Sequence, residues 1–123
     1  MKKVILITGA SSGMGKVAAI DLIKQGHIVY GAARDVENMK ELVDLGGNAI
    51  KMDVTNESDL KSGVDRIIAE QGKIDVLWNN AGFGLYGPVE EVSLEKARFQ
   101  CDVNLFGLAA LTQVVVPHMR KHK

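Results

Sequence analysis

The run Gly9-Ala10-Ser11-Ser12-Gly13-Met14-Gly15 has the residue types that hold phosphate. It follows the apolar Val4-Ile5-Leu6-Ile7 and leads into a helix-period stretch from Lys16. Glycine lets a backbone approach an anion closely, and the unpaired N–H groups of a first helical turn point at it. The helix dipole adds positive potential there. A strand, a glycine-rich turn and a helix start in that order predict a dinucleotide site. The plain alternative is a tight turn that needs small residues. The spacing Gly9-x-x-x-Gly13-x-Gly15 departs from the fingerprint Gly-x-Gly-x-x-Gly. It also misses a nucleoside-triphosphate loop. Gly9 stands one residue too early before Gly15-Lys16, and Val17 replaces the Ser or Thr that would bind magnesium.

A second recognition element is expected after the next strand. There an acidic residue meets a ribose 2′-hydroxyl in NAD sites, and an Arg meets the 2′-phosphate in NADP sites. The sequence offers Arg34 and Asp35. The always-charged planar fork of Arg34 suits a phosphate, which makes NADP the expected cofactor and NAD the rival. Strand register decides which side chain faces the ligand, and both could be solvent-facing loop charges.

Other reactive residues are few. Tyr30 falls in an apolar run and reads as core. Tyr86, with Phe83 and Leu85, reads as a loop bordering a substrate. His27, His118 and His122 lack metal-ligand spacing, and no metal is expected. Glu90-Glu91 reads as solvated charge. Cys101, the one cysteine, reads as a small apolar core or interface residue and excludes an internal disulfide.

These residues need strands and helices to position them. Strands are predicted at Val4–Ile7, Ile28–Ala32, Ala49–Met52 and Ile74–Trp78. Helices are predicted at Lys16–Gln25, closed by Gly26, and at Val36–Leu45, closed by Gly46-Gly47. A third runs from a Thr55 cap to Gln71, closed by Gly72, and a long last one runs from a Ser93 cap past Val116. Pro117 should kink the last, since its ring opposes the carbonyl of Gln113. This alternation predicts an α/β fold, a Rossmann-like doubly wound parallel sheet of about four strands with flanking helices. Ligands of such sheets sit beyond the strands' carboxyl ends where strand order reverses, here between the first and fourth.

The bulk properties set outer bounds. The chain has 123 residues, 46% hydrophobic and 24% charged, which suits one soluble domain. Its formal net charge is zero, so no global field favours nucleic acid or an anionic membrane. No apolar run approaches the ~20 residues of a membrane span. The apolar N-terminal stretch is too short for a secretory signal, so the expected location is cytoplasmic.

Thr8-Gly9-x-x-x-Gly13-x-Gly15, Asp53-Val54, Asn79-Asn80-Ala81-Gly82 and Asn104 within Val103-Asn104-Leu105-Phe106-Gly107 together resemble the short-chain dehydrogenase/reductases. The likeness runs from Lys3 to about Arg120. It implies that Ser11, Ser12 and Met14 face the pyrophosphate and adjoining ribose, and that Asp53 accepts from the adenine amino group beside Val54. It implies further that Asn80, Ala81 and Gly82 line the cofactor, while Asn79 ties strands together. The implied activity is hydride transfer between a nicotinamide and a carbonyl or alcohol.

In the family a Tyr acts with a Lys four residues later, a Ser and an Asn. The Lys is needed because an unperturbed Tyr pKa of about 10 is too high for a base at neutral pH. Asn104 is the one member of that set found here, and the resemblance makes it the catalytic residue of this chain, helping to hold a water that relays protons. Residues 1–123 therefore resemble the cofactor-binding half of such an enzyme, expected to be inactive alone. Its last helix, apolar over Leu108–Val116, predicts a homo-oligomer. A non-catalytic nucleotide-binding or assembly module is the alternative. An extended-family sugar-nucleotide epimerase or dehydratase fits the glycine spacing less well. Substrate identity stays open, beyond the apolar hint of Gly84-Leu85-Tyr86-Gly87.

Overall fold

A computed structural model describes residues 1–123. Four parallel strands lie in the order β3-β2-β1-β4: β1 Val4–Thr8, β2 Ile28–Ala33, β3 Asn48–Lys51 and β4 Val76–Trp78. Ile5 pairs with Val29 on one side and Val76 on the other, which makes β1 the central strand. The alternation of its side chains builds two cores. Val4 and Leu6 join Tyr30, Ile50, Leu60, Ile67, Leu111 and Val115 on one face. Ile5 and Ile7 join Ala19, Val29, Met39 and Leu42 on the other. Strand β1 is buried on both faces, as its unbroken apolar run requires.

Helix α1 (Gly13–Lys24) and the short α2 (Lys40–Asp44) cover the second face, and α3 (Glu57–Gln71) covers the first. A single 3₁₀ turn, Glu37–Met39, precedes α2. Gly31 permits this packing, because a Cβ there would stand 2.7 Å from Leu42 Cδ2 and 3.0 Å from the Ala10 Cβ. Tyr30 is core as expected, and its hydroxyl donates to Glu70 at 2.7 Å.

Several sequence expectations shift. The α3 cap is Asn56, which accepts from the Asp59 N–H at 3.1 Å; Thr55 instead turns back to Asp53. Ile74 and Asp75 precede β4 proper, although Asp75 still pairs with Val4 through both its N–H and its carboxylate. Cys101 is exposed, so the core reading of it fails.

The long last helix is built in three parts: α4 (Leu94–Cys101), a π-helical stretch Asp102–Gly107, and α5 (Leu108–Lys121). Ser93 caps it, accepting from the Lys96 N–H at 3.2 Å. The helix continues through Pro117 to Lys121. Joined, Leu94–Lys121 spans 28 residues with a mean hydropathy of 1.4 over its most apolar window, long and apolar enough to cross a membrane. The sequence predicts one long helix here, and polar residues break it into apolar runs that are each much shorter than this window. Tertiary contacts set this helix against the sheet: Leu111 and Val115 are fully buried in the core, and Thr112 accepts from Asn79 Nδ2 at 3.1 Å.

Candidate cofactor-binding site

The carboxyl ends of all four strands open into one cleft of about 770 Å³. Its floor begins with the turn after β1. Gly9 and Gly13 take φ of +67° and +57°, a region that L side chains rarely adopt. Ser12 precedes α1 in extended conformation without capping it through its side chain. The first helical hydrogen bond runs from the Lys16 N–H to the Ser12 carbonyl at 3.2 Å. The N–H groups of Gly13, Met14 and Gly15 come before it and remain available at the helix's positive end.

Glycine is also needed for close approach. A Cβ on Gly9 would lie 2.9 Å from the Ala81 Cα, and one on Gly15 would overlap both Asn80 Nδ2 and the Gly9 carbonyl oxygen. Gly13 differs, since a Cβ there would meet nothing within 4 Å and would point into open space. The three glycines therefore serve two ends. Gly9 and Gly15 let the β1 turn close against β4, and Gly13 leaves room over the helix terminus.

Thr8 is what joins the two walls. Its side chain is 2% exposed, and its hydroxyl accepts from the N–H groups of Asn80 at 3.0 Å and Ala81 at 2.9 Å. Asn80 Nδ2 adds a hydrogen bond to the Gly9 carbonyl at 3.3 Å. The sequence shows Thr8 at the end of an apolar strand, where a β-branched residue is ordinary. Only its place in the family motif marks it. Thr8→Val keeps the shape but leaves the Ala81 N–H without a partner and the Asn80 N–H with the Trp78 carbonyl alone, an expected loss of about 1–3 kcal/mol. Urea unfolding checks this, and Thr8→Ser, which restores the hydroxyl, should recover most of it.

The far end of the cleft carries Arg34, Asp35, Asp53 and Val54. Asp35 is occupied: its carboxylate accepts from both the backbone N–H and the side-chain amide of Asn38. Arg34 makes no hydrogen bond or ion pair and stands free at the rim. Asp53 accepts from the Thr55 hydroxyl at 2.6 Å and the Thr55 N–H at 2.9 Å, both through Oδ1. Those two donors, helped by the Arg34 charge, hold its carboxyl below the ordinary Asp range. Asp53 thus stays an ionised acceptor, with Oδ2 open.

Ten of the residues singled out from sequence line this cleft: Gly9, Ser11, Ser12, Met14, Arg34, Asp53, Val54, Asn80, Ala81 and Gly82. Gly13 and Gly15 shape it without lining it. Thr8, Ala32, Ala33, Asp35, Met52 and Val103 also line it. Asp35 is the rival to Arg34 and Thr8 belongs to the family motif; the other four carry no chemical signal by type. Asn79 reaches across to Thr112 on α5 and so ties a strand end to a helix, where a strand-to-strand tie was expected.

Asn104 lies outside the lining. Its amide closes on the Phe83 backbone, accepting from the N–H at 3.0 Å and donating to the carbonyl at 2.6 Å. The π-helical stretch places Asn104 there. Gly82 must lack a side chain beside it, because a Cβ would stand 2.9 Å from Asn104 Oδ1. At the end of the same stretch Gly107 lets the helix meet Val54, whose Cγ2 would lie 2.8 Å from a Cβ.

A family profile described as short chain dehydrogenase matches residues 3–123. The chain belongs to the short-chain dehydrogenase family. It is 44% identical over 120 residues to a 3-ketodihydrosphingosine reductase of Bacteroides thetaiotaomicron, covering 97% of this chain and 43% of that protein. It is 36% identical over 120 residues to an NADP-dependent 3-hydroxy acid dehydrogenase of Shigella flexneri, covering 94% and 48%. Its fold is similar to the crystal structure of a short-chain dehydrogenase from Streptomyces avermitilis, with a TM-score of 0.94, 36% identity and coverage of 99% and 46%. The short-chain dehydrogenase chain described here thus spans less than half the length of these relatives.

Proposed function

We propose that residues 1–123 form the NADP-binding part of an oxidoreductase that interconverts a carbonyl and an alcohol. The observation that carries the cofactor reading is the free Arg34 guanidinium at the cleft rim, beside an Asp35 already satisfied by Asn38. A bidentate fork without a partner suits a 2′-phosphate, whereas both oxygens of Asp35 are drawn toward Asn38 and away from a 2′-hydroxyl role. The glycine turn is a cradle that side chains would fill. The names of the relatives above carry the two ends of the proposed reaction, a 3-keto compound and a 3-hydroxy acid.

The nicotinamide supplies or accepts hydride when bound. In this reading Ser11, Ser12, Met14 and the N-terminus of α1 bind the pyrophosphate, and Gly13 lets it approach. Arg34 holds the 2′-phosphate. Asp53 Oδ2 accepts from the adenine amino group, with Val54 against the ring. Asn80, Ala81 and Gly82 wall the cofactor on the β4 side. Asn104 works as a positioning residue, holding the loop at Phe83. No Tyr here has a Lys four residues later, so we propose that this chain alone does not turn over. The exposed Leu105, Phe106, Leu108 and Val116 of the last helix support association with a second copy.

Trp78, the one tryptophan, lies two residues before Asn80 at the cleft wall and reports on the site. Energy transfer from it to a reduced nicotinamide gives the test. NADPH is expected to bind more tightly than NADH. Tighter NADH would overturn the NADP reading, and binding of neither would overturn the cofactor reading as a whole.

A further inference from the structure

We propose that Phe83 and Phe99 form an aromatic lip that seats the tail of the substrate, so that the substrate class is a carbonyl compound or alcohol bearing a linear, uncharged hydrocarbon chain. This rests on the cofactor reading above and extends it to the other end of the cleft.

The two rings meet with centroids 5.7 Å apart and planes inclined by 38°. Each is still exposed, Phe83 by 40% and Phe99 by 43%. Their position follows from the chain. Phe83 comes directly after Gly82, and Phe99 stands one helical turn before Val103; Gly82 and Val103 both line the cleft. The lip therefore continues the cleft wall. The strand order β3-β2-β1-β4 puts Arg34, after β2, toward one end of the cleft and Gly82, after β4, toward the other. A cofactor anchored at Arg34 and drawn over the glycine turn ends on the β4 side, beside this lip.

The lip is held in place and is apolar. Both Asn104 hydrogen bonds fix the Phe83 backbone. No charged residue occurs from Phe83 to Val89, a stretch that also carries Leu85 and Tyr86. The Phe83 side of this surface is apolar and offers no partner for a charge; on the helix side Phe99 stands among Glu95, Lys96, Arg98 and Asp102, with its ring exposed. A linear chain lying on it has one side against the rings and one side toward water. It keeps about half of the transfer free energy of a methylene, which is roughly a twofold gain in affinity for each carbon added.

The test uses the full-length natural polypeptide that carries residues 1–123, loaded with NADP, and linear primary alcohols of four to eight carbons as probes. Calorimetry should show affinity rising about sixteenfold across the series. Phe83→Ala and Phe99→Ala should each cut that rise to about fourfold or less, while Phe99→Leu, which keeps an apolar contact, retains more of it. Unchanged NADPH affinity, read through Trp78, shows that the variants are folded. Affinity independent of chain length would overturn the proposal. So would an undiminished rise in Phe99→Leu and Phe99→Ala alike, the result expected if later parts of the polypeptide cover these rings. The readout is binding, so failure of the underlying reading looks different: length-dependent binding with no NADPH-linked reduction of the matching ketones would sink the proposed reaction and leave the lip standing.

Discussion

Gly15→Ala is expected to reduce NADPH affinity by at least tenfold and to cost about 1–3 kcal/mol of folding stability. The added methyl has nowhere to go. It would overlap Asn80 Nδ2 and the Gly9 carbonyl oxygen, and neither is the loose end of a flexible side chain. Asn80 is pinned by its own N–H to Thr8 and by its amide to Gly9. Relieving the overlap therefore means parting the β1 turn from the β4 end, which is the wall of the cleft. Gly13→Ala is the informative comparison. Its methyl meets nothing, so only its φ of +57° opposes the change, at a cost of about 1 kcal/mol. Thermal unfolding and NADPH titration of both variants check the argument. Gly15→Ala with native affinity would mean that the cleft wall gives way more easily than this packing allows.

Arg34→Ala is expected to weaken NADPH binding roughly a hundredfold, about 3 kcal/mol for two charge-assisted hydrogen bonds. NADH binding should change by less than threefold, because NADH has no 2′-phosphate. Stability should change little, since Arg34 makes no hydrogen bond or ion pair within the protein. The effect on NADPH should also shrink with added salt, as an exposed charge contact does. Titrations of both cofactors at two salt concentrations measure all of this. Equal losses for the two cofactors would assign Arg34 to shaping the cleft instead of reading the phosphate.

Both predictions began as residue types in a string, and they were legible to different degrees. Gly15 could be named from spacing, but its task could not. It and Gly9 are there for Asn80 and Ala81, residues about seventy positions away that no local pattern connects to them. Arg34 and Asp35 are adjacent and equally charged to the eye. What separates them is a turn in which Asn38 takes both oxygens of Asp35.

Unbroken apolar runs, helix-period spacing and glycine stops gave the strands and helices, because backbone geometry ties those signals to neighbours a few residues away. Alternation and handedness implied a parallel sheet with helices on both faces, while the order β3-β2-β1-β4 is set by which strands pair in three dimensions. Thr55 against Asn56 shows the limit of that local reading. Both can cap a helix, and Thr55 was already engaged by Asp53.

The amino-acid sequence by itself determined the α/β alternation, the phosphate-binding turn and the family, since each rests on residue type and short-range spacing. Tertiary structure alone decided that Thr8 staples the two walls and that Arg34, not Asp35, stands free. It alone put a π stretch into the long last helix, and that stretch delivers Asn104 to Phe83. The physical reason is common to all three. Each depends on which hydrogen-bond partners remain once distant segments have packed, and that competition is resolved only in three dimensions.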